Sequence, residues 1–304
     1  MSMERRIPEI GRRSFLKGAA AASAGIALAS RMSVASAEEG EFDRFPRGVI
    51  HRDLPEGDLE DQLALAAECG FEGIESNTVD SVDEAKRMAD VAQEAGIELH
   101  SIMFGGWGSP LSHPDEEVAR QGRQELEHCI ETAEAMGAGA VLLVPAIVNA
   151  ETRYVEAWDR STRHIREVLP VAEDLGVVIA VENVWNNFLL SPLEFAEYVD
   201  QFESPYLQAY FDVGNIVAYG WPQDWIRTLD ERIVRVHYKD FQRDGRNFVN
   251  LGEGDVDWLE VRRALEEVGF DSWVTPEVGG GDEAYLTDLA ERMHRINVGT
   301  SPLG

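Results

Sequence analysis

Four short apolar runs in the second half of the chain each lead into an ionisable side chain. Residues 177–181 run into Glu182, 207–211 into Asp212, 233–236 into His237 and 273–276 into Glu277. Apolar runs of this length, bounded by turn residues, suit strands buried on both faces. If those strands stand parallel, their last residues gather at one end of a sheet. Three carboxylates and one imidazole gathered there form a donor set for one divalent ion. The mix favours Mn²⁺, with Co²⁺, Mg²⁺ and Zn²⁺ also compatible, over thiophilic metals. A polar residue ending one strand often only caps the next helix. Four in succession point to a shared site.

Little else in the sequence offers chemistry. Cys69 and Cys129 are the only cysteines, and neither sits in a metal-ligand spacing. Both fall on apolar helical stripes, which predicts buried free thiols. No Gly-rich phosphate turn follows the first strand, where His51-Arg52-Asp53-Leu54-Pro55 stands instead. The formal net charge is −29, from 27 Lys and Arg against 56 Asp and Glu. Such a balance repels phosphate backbones and anionic membranes, so neither nucleic acid nor a membrane surface is expected as a partner. Only three of the 27 basic residues are lysines: Lys17, Lys86 and Lys239. An acidic surface almost without lysine is expected of a protein adapted to concentrated salt, where screening makes carboxylate repulsion tolerable.

The first 37 residues read as an export signal rather than fold. Arg12-Arg13-Ser14-Phe15-Leu16-Lys17 is a twin-arginine motif, and a short, weakly apolar Ala-rich run follows it. Ala35-Ser36-Ala37 then offers a small-x-small cleavage site. The run is too short for a membrane span, and no cysteine stands ready for a lipid anchor. The expectation is therefore a protein exported through the twin-arginine machinery to the periplasm or beyond, with residues 38–304 as its one domain. Without residues 1–37, 21 positive and 54 negative side chains remain, a net of −33.

The elements that must position the four strand-end residues are legible as a repeat. Apolar strands near residues 49–50, 73–75, 97–103, 141–144, 177–181, 207–211, 233–237 and 273–276 alternate with helical patterns. Those cover 59–69, 82–95, 115–136, 154–175, 193–202, 225–229, 257–268 and 283–296. Gly70, Gly96, Gly137, Gly176 and Gly269 each stand where a helix gives way to a strand. Eight strand–helix units in about 265 residues match an α/β fold of the (β/α)8 TIM barrel type. A doubly wound open sheet is the competitor, disfavoured by the missing phosphate turn. In such a barrel the reactive residues sit where strands end.

Taken together, several segments resemble the sugar phosphate isomerase/epimerase family, xylose-isomerase-like barrels that include ketose 3-epimerases. They are Val181-Glu182-Asn183, Phe211-Asp212-Val213-Gly214-Asn215, Val236-His237-Tyr238-Lys239-Asp240, Gly252-Glu253-Gly254-Asp255 and Pro276-Glu277-Val278. The likeness covers residues 46–297, and Gly70–Glu75 is similar to the family's second-strand segment. It implies metal ligands at Glu182, Asp212, His237 and Glu277, with Glu182 and Glu277 also serving as acid/base groups. A metal on the carbonyl and a neighbouring hydroxyl of the substrate would stabilise an enediolate. One glutamate would remove the α-proton and the other return it to the opposite face. Asn215 and Phe188 stand where the ketose 3-epimerases carry His and Glu, while Arg243 matches their Arg. The substrate pocket of that type is thus only partly present.

Around the four ligand positions, Lys239, Arg243, Asn183, Trp185, Asn215, His100 and Glu75 are candidate substrate contacts. An aromatic plane beside amide donors suits a sugar ring. Lys239 could instead pair with Asp240 or Asp212, and Glu75 and His100 could be hydrogen-bonded core. Asp257 reads as the N-cap of the following helix, and His113, His128, His164 and His294 as loop or helix-surface residues. The expected activity is that of an exported sugar isomerase or epimerase on a non-phosphorylated sugar or keto-sugar. Alternatives are a lyase or hydratase of 3-keto-glycosides using the same proton abstraction, or a non-catalytic sugar-binding barrel. A homo-oligomer is compatible with either class. An abasic-site endonuclease on the same fold is disfavoured by the charge.

Overall fold

A computed structural model describes residues 45–304, so the expected signal segment 1–37 lies outside the described residues. The five glycines that mark helix-to-strand turns all have positive φ, from 70° at Gly96 to 96° at Gly70. A left-handed residue there lets the chain leave the helix and enter the sheet at once. Each such turn delivers one parallel strand. In chain order these are β1 (Gly48–Ile50), β2 (Gly73–Asn77), β3 (Glu98–Gly105), β4 (Ala140–Leu143), β5 (Val178–Glu182), β6 (Leu207–Asp212) and β7 (Ile233–Tyr238). A hairpin, β8 (Asp240–Gln242) and β9 (Asn247–Val249), precedes the last barrel strand, β10 (Val274–Pro276).

The main sheet runs β1-β2-β3-β4-β5-β6-β7-β10, parallel throughout. It closes through one parallel bridge between Arg47 and Val274, where the Val274 amide donates to the Pro46 carbonyl at 3.0 Å. The helices are α1 (Leu59–Glu68), α2 (Val82–Ala95), α3 (Glu116–Met136), α4 (Tyr154–Leu175) and α5 (Pro192–Asp200). Two short ones, α6 (Gly214–Val217) and α7 (Pro222–Leu229), come before α8 (Trp258–Glu267) and α9 (Glu283–Asn297). The expected (β/α)8 barrel is the fold observed, with element ends shifted by a few residues at most.

Strand alternation sorts side chains into two layers. Val141, Leu143, Ile179 and Val181 face the helices within one large core, while Ala140, Leu142, Ala180 and Tyr210 form a separate cluster inside the barrel. Small Ala140 and Ala180 leave room for the buried Tyr210 ring. Several helix starts follow their sequence signals: Ser81, Asp115, Ser191 and Asp257 each accept a hydrogen bond from a first-turn amide. Cys69 and Cys129 are both buried and free, and burial pushes the Cys129 thiol up.

Two expectations need correction. The hairpin and α6 were not expected. The hairpin's signal was present, since Asp244-Gly245 lies between two short runs, 240–242 and 247–249. His164, expected on a helix surface, is buried between α3 and α4. It lies on one stripe with Ala157, Ser161, Ile165 and Val168 and contacts the guanidinium groups of Arg123 and Arg163. Burial and those two positive neighbours hold its pKa below the usual histidine value.

Candidate active site

The ends of β5, β6, β7 and β10 bring Glu182, Asp212, His237 and Glu277 to one place at the C-terminal mouth of the barrel. One potential ligand atom from each lies within 4.8 Å of all the others. Burial is nearly complete at Glu182, Asp212 and His237 and partial at Glu277, and both glutamates line a cavity. His237 Nδ1 lies 2.9 Å from Glu182 Oε1 and 3.6 Å from Glu277 Oε2. Its Nε2 lies 2.8 Å from Glu75 Oε2 at the floor of the site. A ring so held turns one nitrogen toward the carboxylate cluster and leaves the other to Glu75, which fixes its orientation.

Lys239 reaches into the same cluster. Its Nζ donates to Glu277 Oε2 at 2.8 Å, lies 3.6 Å from Asp212 Oδ2 and sits 4.4 Å from the Phe248 ring centroid. Of the two pairings weighed from sequence, Asp212 is thus engaged and Asp240 is not. Arg52 approaches Glu277 from β1's loop at 3.7 Å. Burial disfavours charge on every member, and the balance differs from residue to residue. Burial raises Glu182 against the opposing pull of His237, and holds Asp212 well above the usual aspartate range. At Glu277 the charges of His237 and Lys239 outweigh burial and bring the pKa down to about 2. His237, despite its burial, is raised well above the usual value by Glu75 and Glu182.

The donor set suits a divalent cation on independent grounds. Four carboxylates, Glu75 included, face Lys239 and one imidazole. Asp212 Oδ2 is buried without a hydrogen-bond partner, which is the state expected of an oxygen reserved for a ligand. The buried acidic and histidine cluster could therefore hold a metal.

A cavity of about 310 Å³ opens above the cluster. Its walls include Glu182, Glu277, Lys239, Trp185 and Asn215, as expected from sequence, together with Arg52, Trp107 and Phe248, which were not. Arg52 escaped notice because a lone arginine after a three-residue strand carries no motif. Trp107 reaches the mouth from the loop after β3 and Phe248 from β9, both far in sequence from the strand-end residues they join.

Four expected substrate contacts have other occupations. Asn183 spans β5 and β6: its Nδ2 donates to the Asp212 carbonyl at 2.8 Å, and its Oδ1 accepts from the Asp212 amide at 2.9 Å. Asn183 therefore holds the Asp212 backbone. Arg243 turns away from the cavity to donate to the carbonyls of Val217 and Gly220, 4.2 Å above the Trp221 ring. His100 lies deep in the barrel, stacked on Trp273 at 4.7 Å, with Ser101 and Thr275 as its side-chain partners. Glu75 contacts His237 rather than the cavity. Phe188, the departure from the ketose-epimerase pattern, buries its ring against Tyr154, Trp158 and Tyr198.

The chain belongs to the xylose isomerase-like TIM barrel family, whose sequence profile matches residues 63–295. A second profile, for twin-arginine translocation signal sequences, matches residues 9–29. Among characterised relatives, an L-ribulose-5-phosphate 3-epimerase from Shigella boydii serotype 18 is 26 % identical over 247 residues, covering 75 % of this chain and 84 % of that one. The corresponding Salmonella heidelberg enzyme is 27 % identical over 243 residues, with the same coverage. Similar folds include D-psicose 3-epimerase from Clostridium cellulolyticum H10, solved with D-tagatose. Its TM-score is 0.70 at 20 % identity, covering 83 % of this chain and 98 % of that one. Another is 3-keto-D-glucoside 4-epimerase from E. coli, with a TM-score of 0.73 at 15 % identity, covering 82 % and 98 %. No helix among the described residues is long and apolar enough to cross a membrane.

Proposed function

We propose that this chain is a divalent-metal-dependent sugar epimerase, exported through the twin-arginine pathway after loss of residues 1–37. The observation that carries this reading is the convergence of Glu182, Asp212, His237 and Glu277 within 4.8 Å beneath an open cavity. The epimerase names of the sequence relatives support the same reaction class. Those four residues would hold the ion, for which Mn²⁺ is the best match to three carboxylates and one imidazole. A bound divalent ion supplies positive charge against the negative charge that develops on substrate oxygens during α-proton removal.

The rest of the reaction belongs to the chain. Glu182 and Glu277 come from β5 and from the end of β10, so they can approach a ring in the cavity from different sides. One takes the proton alpha to the carbonyl, and the other returns a proton to the opposite face, inverting that carbon. Lys239, held 2.8 Å from Glu277, steadies that carboxylate and presents a cation to substrate oxygen. Trp185 supplies an aromatic plane, and Asn215 lies beside it in the wall. Glu75 orients His237, and Asn183 orients Asp212. Among the described residues that line the cavity, the basic ones are Arg52 and Lys239, both drawn to Glu277, which favours a non-phosphorylated sugar. We place the working protein in the periplasm or outside the cell.

The test is incubation of the Mn²⁺-loaded protein with ketoses and keto-glycosides in D₂O. Deuterium uptake at one carbon, with inversion there, supports the proposal. Loss of a substituent instead of inversion would assign a lyase, and absence of uptake with every sugar would leave a binding protein.

A further inference from the structure

Beside the site cavity lies a second and larger one, of about 480 Å³. Phe104 and Trp107 line both, so the two spaces are separated only by the loop that follows β3. The side cavity runs from Thr78 and Asp80, after β2, to Glu125 and His128 on α3. Its walls thus alternate an indole ring with hydroxyl, carboxylate and imidazole groups, which is the mixture that grips a sugar ring by its face and its hydroxyls. Its described lining residues include two carboxylates and neither Lys nor Arg, so it would repel a phosphate. The rim agrees. The five exposed aromatic side chains among the described residues all lie at the barrel's C-terminal face, Trp107, Trp185, Tyr219 and Trp221 on loops and Phe248 on the hairpin strand β9. Exposed aromatics confined to one face mark a binding surface.

We propose that the side cavity is a second carbohydrate subsite and that the substrate is a neutral glycoside of at least two units. Its reacting ring lies over Glu182 and Glu277, and its second ring occupies the space between Trp107 and Glu125. The inference deepens the epimerase reading and rests on it for the position of the reacting ring. The site cavity alone, near the small end of ligand-binding volumes, suits a single ring. The neighbouring space has the volume and lining for another.

Gly108 offers a clean probe, because a Cβ built there meets no atom within 4 Å. Gly108→Leu, and Thr78→Leu from the opposite wall, would fill the side cavity without touching the carboxylate cluster. Lactulose, isomaltulose and turanose, each a glycosylated fructose, are titrated calorimetrically against D-fructose with the full Mn²⁺-loaded protein. At least one disaccharide is expected to bind ten-fold or more tightly than fructose. Either filling variant should erase that margin while fructose binding stays unchanged, which also reports an intact fold. The subsite is overturned if no disaccharide exceeds fructose, or if both variants weaken fructose and disaccharide alike. Hydrogen exchange in D₂O on the same samples separates the two readings. Tight, variant-sensitive disaccharide binding without exchange sinks the epimerase and leaves the subsite standing.

Discussion

At the scale of single residues, the site divides into groups that would meet substrate and groups that hold them. Glu182→Gln and Glu277→Gln keep an oxygen for the metal but lose proton transfer. Each should slow epimerisation by roughly 10² to 10⁴-fold, and metal content measured on the same samples guards against simple loss of the ion. Near-wild-type turnover in both metal-loaded variants would end the two-glutamate mechanism. Glu75→Gln weakens the partner that fixes His237 Nε2 and should lower Mn²⁺ affinity about 10 to 100-fold, read by calorimetric titration; unchanged affinity would deny Glu75 that role. His100 gives a pH signature. Burial first, then the charges of Arg235 and His237, hold its pKa well below the usual value. It is therefore neutral when folded but gains a proton below about 6.5 when unfolded. Its contribution is fully present above that pH and is lost as pH falls, at up to about 1.4 kcal/mol per pH unit. His100→Gln should flatten the acid limb of stability by that amount in denaturant titrations; an unchanged slope refutes it. The four strand-end residues were legible because each closes an apolar run. Glu75's occupation was not, because its partner lies 162 positions away.

At the scale of elements, the hairpin β8–β9 shows how a loop becomes part of a site. Asp240, buried at its base, accepts from the amides of Phe241, Gly252 and Val256 and from Trp258 Nε1. One carboxylate thereby ties the hairpin, the turn after it and the first residue of α8. Gly254 is required beside it, since a Cβ there would stand 2.2 Å from Asp240 Oδ1. Gly254 is thus explained by close approach to a carboxylate, and Gly252 by its positive φ of 87°. Asp240→Ala leaves buried donors unmatched and should cost about 3 kcal/mol or more, measured by chemical denaturation. A loss below about 1 kcal/mol would mean the carboxylate is dispensable. Phe248, carried on β9, lines the cavity from this hairpin. Helices and barrel strands were legible from periodicity and glycine stops, while the hairpin is too short to show a period. The sequence reading of Arg243 failed for a related reason: its spacing matched a pattern, but the carbonyls of Val217 and Gly220 offered it closer partners.

At the scale of the whole molecule, charge is the dominant property. Most described arginines lie in ion pairs with Asp or Glu, many at i,i+3 or i,i+4 spacing on helices, yet carboxylates remain in large excess. Exposed pairs contribute little individually, so the uncompensated acid decides how stability responds to salt. The melting temperature should rise from low to molar salt as repulsion is screened. A flat or falling curve would deny that the acidic surface is a salt adaptation. The barrel itself was legible from eight repeating units and five glycine stops. The side cavity was not, because it is formed by the βα loops after β2 and β3 and by one face of α3, which no sequence period connects.

The Arg47–Val274 bridge that shuts the sheet joins the strand made first to the strand made last. The Asn297 side chain, at the end of α9, donates to the Phe45 carbonyl at 2.7 Å and accepts from the Tyr238 hydroxyl. No N-terminal fragment can therefore finish the barrel. Until β10 and α9 have been made, β1 and β7 remain open edges, able to pair with another chain. The twin-arginine motif, by contrast, precedes every barrel strand in the chain. A twin-arginine sequence is thus legible well before the barrel can close, and α9 acts as the latch that ties its two ends together.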